Sequence, residues 1–214
     1  MIAPADAVVL DFPFRGSWLV QNSPARRVPS HGTSLFGTSH AIDFVAINDQ
    51  GRSAPRTWRS LVASEPPELF EGFGQPILAP VSGTVVLTHD DEQDHEARRS
   101  QLTLLPYMLG QAERAKEGVT GLAGNHVVIA IRPAGPFVLL AHLRHGTVRV
   151  RPGQHVQAGD RVADCGNTGN STEPHIHVQV SDSTDWPRAQ GLPVAFRSRS
   201  GTVWVPDNDE IVRA

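Results

Sequence analysis

His175 and His177, one residue apart in Pro174-His175-Ile176-His177-Val178-Gln179-Val180, are the residues whose types and spacing first offer chemistry. In a β-strand, positions i and i+2 project from the same face, so the two imidazoles would stand side by side while Ile176 points into a core. Paired imidazoles suit zinc and other transition metals. Two histidines at this spacing also arise by chance, so the pair alone does not decide. A second residue adds weight: Asp43 lies inside the apolar run Ala41-Ile42-Asp43-Phe44-Val45-Ala46-Ile47. Desolvating a carboxylate costs several kcal/mol unless it is paired or binds a metal. Asp43 therefore requires a partner.

The elements that must position these groups read as strands. Short β-like runs occur at Ala7–Leu10, Ser17–Val20 and His40–Ile47, and again after the turn at Gly83. Val127–Ile131 and Phe137–Leu143, joined by Arg132-Pro133-Ala134-Gly135-Pro136, have the grammar of a hairpin. Val148 to Ala163 contains two units of short strand, glycine and short strand, with Val148 and Val150 on one face. A loop from Gly166 to Pro174 leads into a strand carrying the histidine pair, and further strands are expected near Val194–Phe196 and Thr202–Val205. The stretches 48–74 and 89–123 lack a clean period and read as insertions, the second partly helical.

With 214 residues the chain suits one domain, 1–214, with insertions near 48–74 and 89–123. A net charge of −3 gives no reason to expect nucleic acid or an anionic surface as partner. No apolar run is long enough for a membrane-spanning helix, and no export signal is visible at the N-terminus, so the sequence as written reads as cytoplasmic, with the cell envelope as the alternative. The single cysteine, Cys165, rules out an internal disulfide and reads as a buried thiol.

Three blocks resemble the lysostaphin/LytM-type zinc endopeptidases, which cut peptide cross-links of bacterial cell walls. They are "HAIDFVA" around Asp43, "GQPILAPVSGTVV" after it, and the long C-terminal block that runs from "GNHVVIAI" through "AHL" to "PHIHVQV". The resemblance implies a mostly β, compact antiparallel domain of the barrel-sandwich, duplicated-hybrid-motif type. It also implies bound Zn2+, a peptide or peptidoglycan substrate, and Asp43 and His177 as metal ligands. His142 and His175 are then the catalytic, proton-handling residues beside the metal. The family's first ligand comes from H-x-x-x-D, but here Ser39 stands four before Asp43. His40, three before, would share a metal with Asp43 only across a bulge, because i and i+3 face opposite sides of a strand. His31, in a Gly/Ser/Thr loop, has no such restriction and is preferred, with His40 as the alternative.

Other readings carry less. A module of the same fold that has lost its metal or activity and acts by binding is the alternative function, motivated by the irregular first ligand. A lipoyl- or biotinyl-carrier reading needs a lysine at a hairpin tip, and the only lysine is Lys116, in the second insertion. No G-x-S-x-G elbow supports a serine hydrolase. His89, His95, His126, His145 and His155 read as solvated surface residues. Oligomeric state is not legible.

Overall fold

The computed structural model describes residues 1–56, 59–100 and 118–214. Thirteen strands are present among them. Eight form the central sheet: β2 (Ser17–Gln21), β3 (Ile42–Ala46), β5 (Gly83–His89), β6 (Asn125–Ala130), β7 (Phe137–Leu143), β8 (His155–Val156), β10 (Ile176–Ser181) and β13 (Ile211–Arg213). Their order is β13-β2-β3-β10-β7-β6-β5-β8, and every pairing is antiparallel. A smaller layer holds β1 (Val8–Asp11), β11 (Val194–Arg197) and β12 (Val203–Trp204), with β1 and β11 parallel. The short strands β4 (Pro76–Leu78) and β9 (Arg161–Asp164) form a third pair. The protein is mostly β and largely antiparallel.

The layers are held by alternation. Val20, Ile42, Phe44, Leu140, Ile176, Val178 and Val180 project from one face of the central sheet into the main core, where they meet Leu10, Phe12 and Phe196. Phe14 stacks on Trp18 at 4.4 Å, and Phe44 meets Phe14 edge-on at 5.0 Å. Burying each such side chain contributes about 1.5–3 kcal/mol. That burial fixes the register of β3 and β10, because a slip by one residue would turn Ile42, Phe44, Ile176 and Val178 away from the core. The opposite face is left to Asp43, His177 and Gln179.

Two sequence expectations change. His40 does not open a strand; it closes an irregular 3-10 turn, Leu35–His40, in which Phe36 and Gly37 take positive φ. Val148 and Val150 pack against the core but lie outside the strands, so Val148–Ala163 contributes only β8 and β9. The insertions meet each other. A one-turn helix α1 (Arg59–Val62) and a 3-10 turn (Pro67–Leu69) occupy the first, and Ala54 and Phe70 pack there against Ala97 of the second. Helix α2 (Gly118–Ala123) ends the second; the rest of the helical expectation falls on 101–117, outside the described residues. No helix among the described residues is long and apolar enough to cross a membrane.

Candidate metal centre

The register of β2, β3, β10, β7, β6 and β5 lines up one row of directly opposed residues: Gln21, Asp43, His177, Ala141, His126 and His89. Opposed residues of an antiparallel pair share a face, so Asp43 and His177 meet because both flanking residues of each are anchored in the core. His177 Nδ1 stands 2.9 Å from Asp43 Oδ1. The loop before β3 brings His31 to the other carboxylate oxygen, with Nε2 3.0 Å from Oδ2. The coordinating atoms of His31, Asp43 and His177 lie within 4.8 Å of one another, and these three could hold a metal ion.

Hydrogen bonds around the three define which nitrogens are available. Gln179 donates its amide N–H to Phe36 O at 2.9 Å, so its Oε1 faces His177 Nε2 at 3.1 Å and accepts that N–H. His177 Nδ1 is then a bare lone pair directed at the carboxylate. Ser30 spends its hydroxyl proton on Thr38 O and accepts from His31 Nδ1–H at 3.0 Å, which leaves His31 Nε2 bare as well. Two lone pairs facing one carboxylate repel unless protons or a cation lie between them. Two imidazoles and a carboxylate fit zinc, and a ligating histidine with its second nitrogen hydrogen-bonded is the usual arrangement at such sites.

Burial pushes the Asp43 carboxyl up, but wherever protons rather than a cation fill the gaps to the imidazoles, the fields of His31 and His175 and the hydrogen bonds from His177 and His31 outweigh it and hold the group well below the usual range. The carboxylate is ionised throughout the neutral range. Asn22 adds a hydrogen bond from Nδ2 to Oδ2 at 2.7 Å.

His142 reaches the site by a bulge. Asn125 opposes Leu143 and His126 opposes Ala141, so His142 is the extra residue of β7, and its φ of 63° is left-handed. Simple alternation would turn His142 into the core. Instead its ring lies 4.6 Å from that of His175 and 5.8 Å from that of His177. His142 Nδ1–H donates to Thr168 O at 2.9 Å, and His175 Nδ1–H donates to Glu173 O at 2.8 Å. Both therefore keep Nε2 free for chemistry. Burial, followed by the fields of His175 and His177, pulls His142 well below the ordinary histidine value, so its imidazole is neutral at neutral pH.

Residues 107–189 match the model of peptidase family M23. That match and the motif resemblance point to the same kind of peptidase. The match takes in His142, His175 and His177, while His31 and Asp43 lie upstream of it and are joined to it by the fold. Among solved structures, the chain is similar to the catalytic domain of a mutant of the prophage-encoded M23 protein EnpA from Enterococcus faecalis. That likeness has 18% identity and a TM-score of 0.47, over 86% of this chain and 93% of that one. It is also similar to the catalytic domain of the antimicrobial peptidase lysostaphin from Staphylococcus simulans, at 18% identity and a TM-score of 0.39, over 75% and 86% of the two chains. A putative peptidase M23 from Pseudomonas aeruginosa shows 20% identity and a TM-score of 0.41, over 84% of this chain and 48% of that one.

Set beside the M23 motifs, the expected residues divide clearly. His31, Asp43, His142, His175 and His177 come together. His40 does not: its Nδ1 faces Gly191 O at 3.2 Å, because the 3-10 turn ends there and directs the ring away from Asp43. His126, expected at the surface, is buried in the row beside Ala141 with Nδ1 2.7 Å from Gly124 O. Sequence reasoning missed Asn22, Ser30, Thr168, Gln179 and Ser171, whose hydroxyl oxygen lies 3.0 Å from His175 Nδ1. Gln179 alone had a usable signal, standing two residues after His177 on the same strand face. Cys165 is buried and free, and burial raises its thiol pKa beyond reach of neutral chemistry.

Proposed function

We propose that the protein is a zinc-dependent metalloendopeptidase that hydrolyses peptide bonds by activating water, with peptidoglycan cross-links as the substrate class. The observation that carries this reading is the pair of bare imidazole lone pairs, His31 Nε2 and His177 Nδ1, converging on the ionised Asp43. Those three residues would hold the ion. Zinc, when bound, supplies Lewis acidity, lowering the pKa of water and polarising a carbonyl. The M23 match supports peptide hydrolysis as the chemistry, and the motif resemblance to the lysostaphin/LytM-type endopeptidases supports a cell-wall target.

His142 and His175 handle protons. Nε2 of a neutral His142 takes a proton from the attacking water; because burial weakens its hold, the proton is readily passed to the leaving amine nitrogen. His175 Nε2, 3.7 Å from Asp43 Oδ1, stands on the same side; once it has taken up a proton, it hydrogen-bonds the oxygen on which charge develops. Thr168 O and Glu173 O fix both tautomers and ring planes.

Elemental analysis should find about one zinc per chain, and oligoglycine peptides or muropeptides should be cleaved, with loss on chelation and recovery on adding zinc. His31→Ala should lose the metal, while His40→Ala should keep it. A chain that takes up no zinc, or that cleaves equally well after chelation, would refute the proposal.

A further inference from the structure

A recess of about 270 Å³ adjoins the metal centre, lined by Asn22, Ser23, Arg26, Arg27, Ser30 and Asn208. Two of its walls are also partners of the ligands: Asn22 donates to Asp43, and Ser30 accepts from His31. The recess and the proton-handling histidines flank the centre on opposite sides. Asn22 follows β2, on one side of Asp43, while His142 belongs to β7, beyond His177. A peptide laid across the centre with its scissile bond near His142 and His175 would extend one end over β2 towards the recess.

The recess offers hydrogen-bond donors and positive charge. Arg26 and Arg27 are exposed, no carboxylate lines the recess, and among the described residues neither guanidinium pairs with an acid. Arg27 Nε is held by Ser30 O at 3.3 Å, which leaves its terminal amino groups free to turn inward. Asn208 accepts from Ser23 N through Oδ1 at 2.6 Å, so its remaining amide group is a donor. Two guanidiniums and an amide N–H complement a carboxylate, with forked geometry for two parallel bonds. A larger cavity of about 400 Å³ also contains arginines, but it shares no residue with the metal centre, and Asp11 stands 3.7 Å from its Arg197.

We propose that this recess binds a carboxylate of the peptide, either the C-terminal group or an acidic side chain, and so selects substrates that carry one close to the scissile bond. The proposal rests on the peptidase reading for its substrate but not for its ligand chemistry. The test measures binding of pentaglycine, pentaglycine amide and pentaglycine amide carrying one glutamate, by calorimetry on the metal-depleted full chain. Hydrolysis by the zinc-loaded chain is measured in parallel. The carboxylate peptides should bind about tenfold more tightly than the amide, and the preference should vanish in the Arg26→Gln/Arg27→Gln variant. Preference for pentaglycine alone identifies the terminal carboxylate as ligand; preference for the glutamate peptide alone identifies the side chain. Equal affinities for all three, or a preference that survives in the double variant, would overturn the proposal. If the preference is present but no peptide is cleaved, the peptidase reading fails and the recess stands.

Discussion

At the scale of single residues, the chemistry depends on which nitrogen of each imidazole carries the proton. His177 exposes Nδ1 to Asp43 only because Gln179 Oε1 accepts from Nε2, and Gln179 is oriented by its own bond to Phe36 O. Replacing Gln179 with leucine frees Nε2 to lose its proton and lets Nδ1 take it up. Zinc affinity, measured by competition with a chromophoric chelator, should fall 10- to 100-fold, the usual cost of losing a partner of a ligating histidine. Gln179→Glu, still an acceptor, should lose less; equal affinity in Gln179→Leu and the wild-type chain would show that the tautomer is set elsewhere. Asp43 was legible as a residue in need of a partner, since a carboxylate between Ile42 and Phe44 must be compensated. His31 was preferable to His40 on strand alternation, but the turn that in fact directs His40 away was not legible, because its two positive-φ residues, Phe36 and Gly37, follow no periodic pattern.

At the scale of elements, strands were readable from alternation and irregularities were not. The hairpin of β6 and β7 follows from Val127–Ile131 and Phe137–Leu143, yet the bulge that turns His142 out of the core left no mark in "FVLLAHL". The same blindness placed His126 at the surface, although its neighbours Val127 and Val128 are both buried. The loop between β9 and β10 is another such element. Gly124 and Gly169, both at positive φ, pass so closely that a Cβ built on Gly169 would lie 2.4 Å from Gly124 N. Between them and the site stands Thr168, whose hydroxyl donates to Leu143 O and accepts from Asn125 N while its carbonyl holds His142. Gly169→Ala adds left-handed strain of about 1–2 kcal/mol and overpacking of about 1–3 kcal/mol. It should lower the melting temperature and, by displacing Thr168 O, lower kcat more than it lowers zinc content. An unchanged kcat in a destabilised protein would separate the loop from the chemistry.

At the scale of the whole molecule, the site face is covered more fully than a half-solvated sheet would be. The two insertions join where Arg99 grips the buried Glu65 through Nε and Nη2 at 2.8 and 2.7 Å, and Ser53 reaches Glu173, beside the loop that holds His175. Composition revealed the insertions as breaks in period but not that they pack on each other, because that contact joins residues far apart in the chain. Burial on this face of the sheet has an electrostatic consequence. Burial lowers the proton affinity of His126, as it does that of His142, below the ordinary histidine value of 6.5. In the window between the folded values and 6.5 the unfolded chain binds protons that the folded chain does not, so stability is complete above the window and is lost as pH falls through it. Each histidine steepens the loss by at most about 1.4 kcal/mol per pH unit. His126 lies outside the metal ligands, so His126→Gln isolates its share: urea midpoints taken from neutrality down to about pH 5 should fall less steeply in the variant than in the wild-type chain. Parallel curves would mean that His126 titrates alike in the folded and unfolded chains, and that the cover over this end of the sheet admits water.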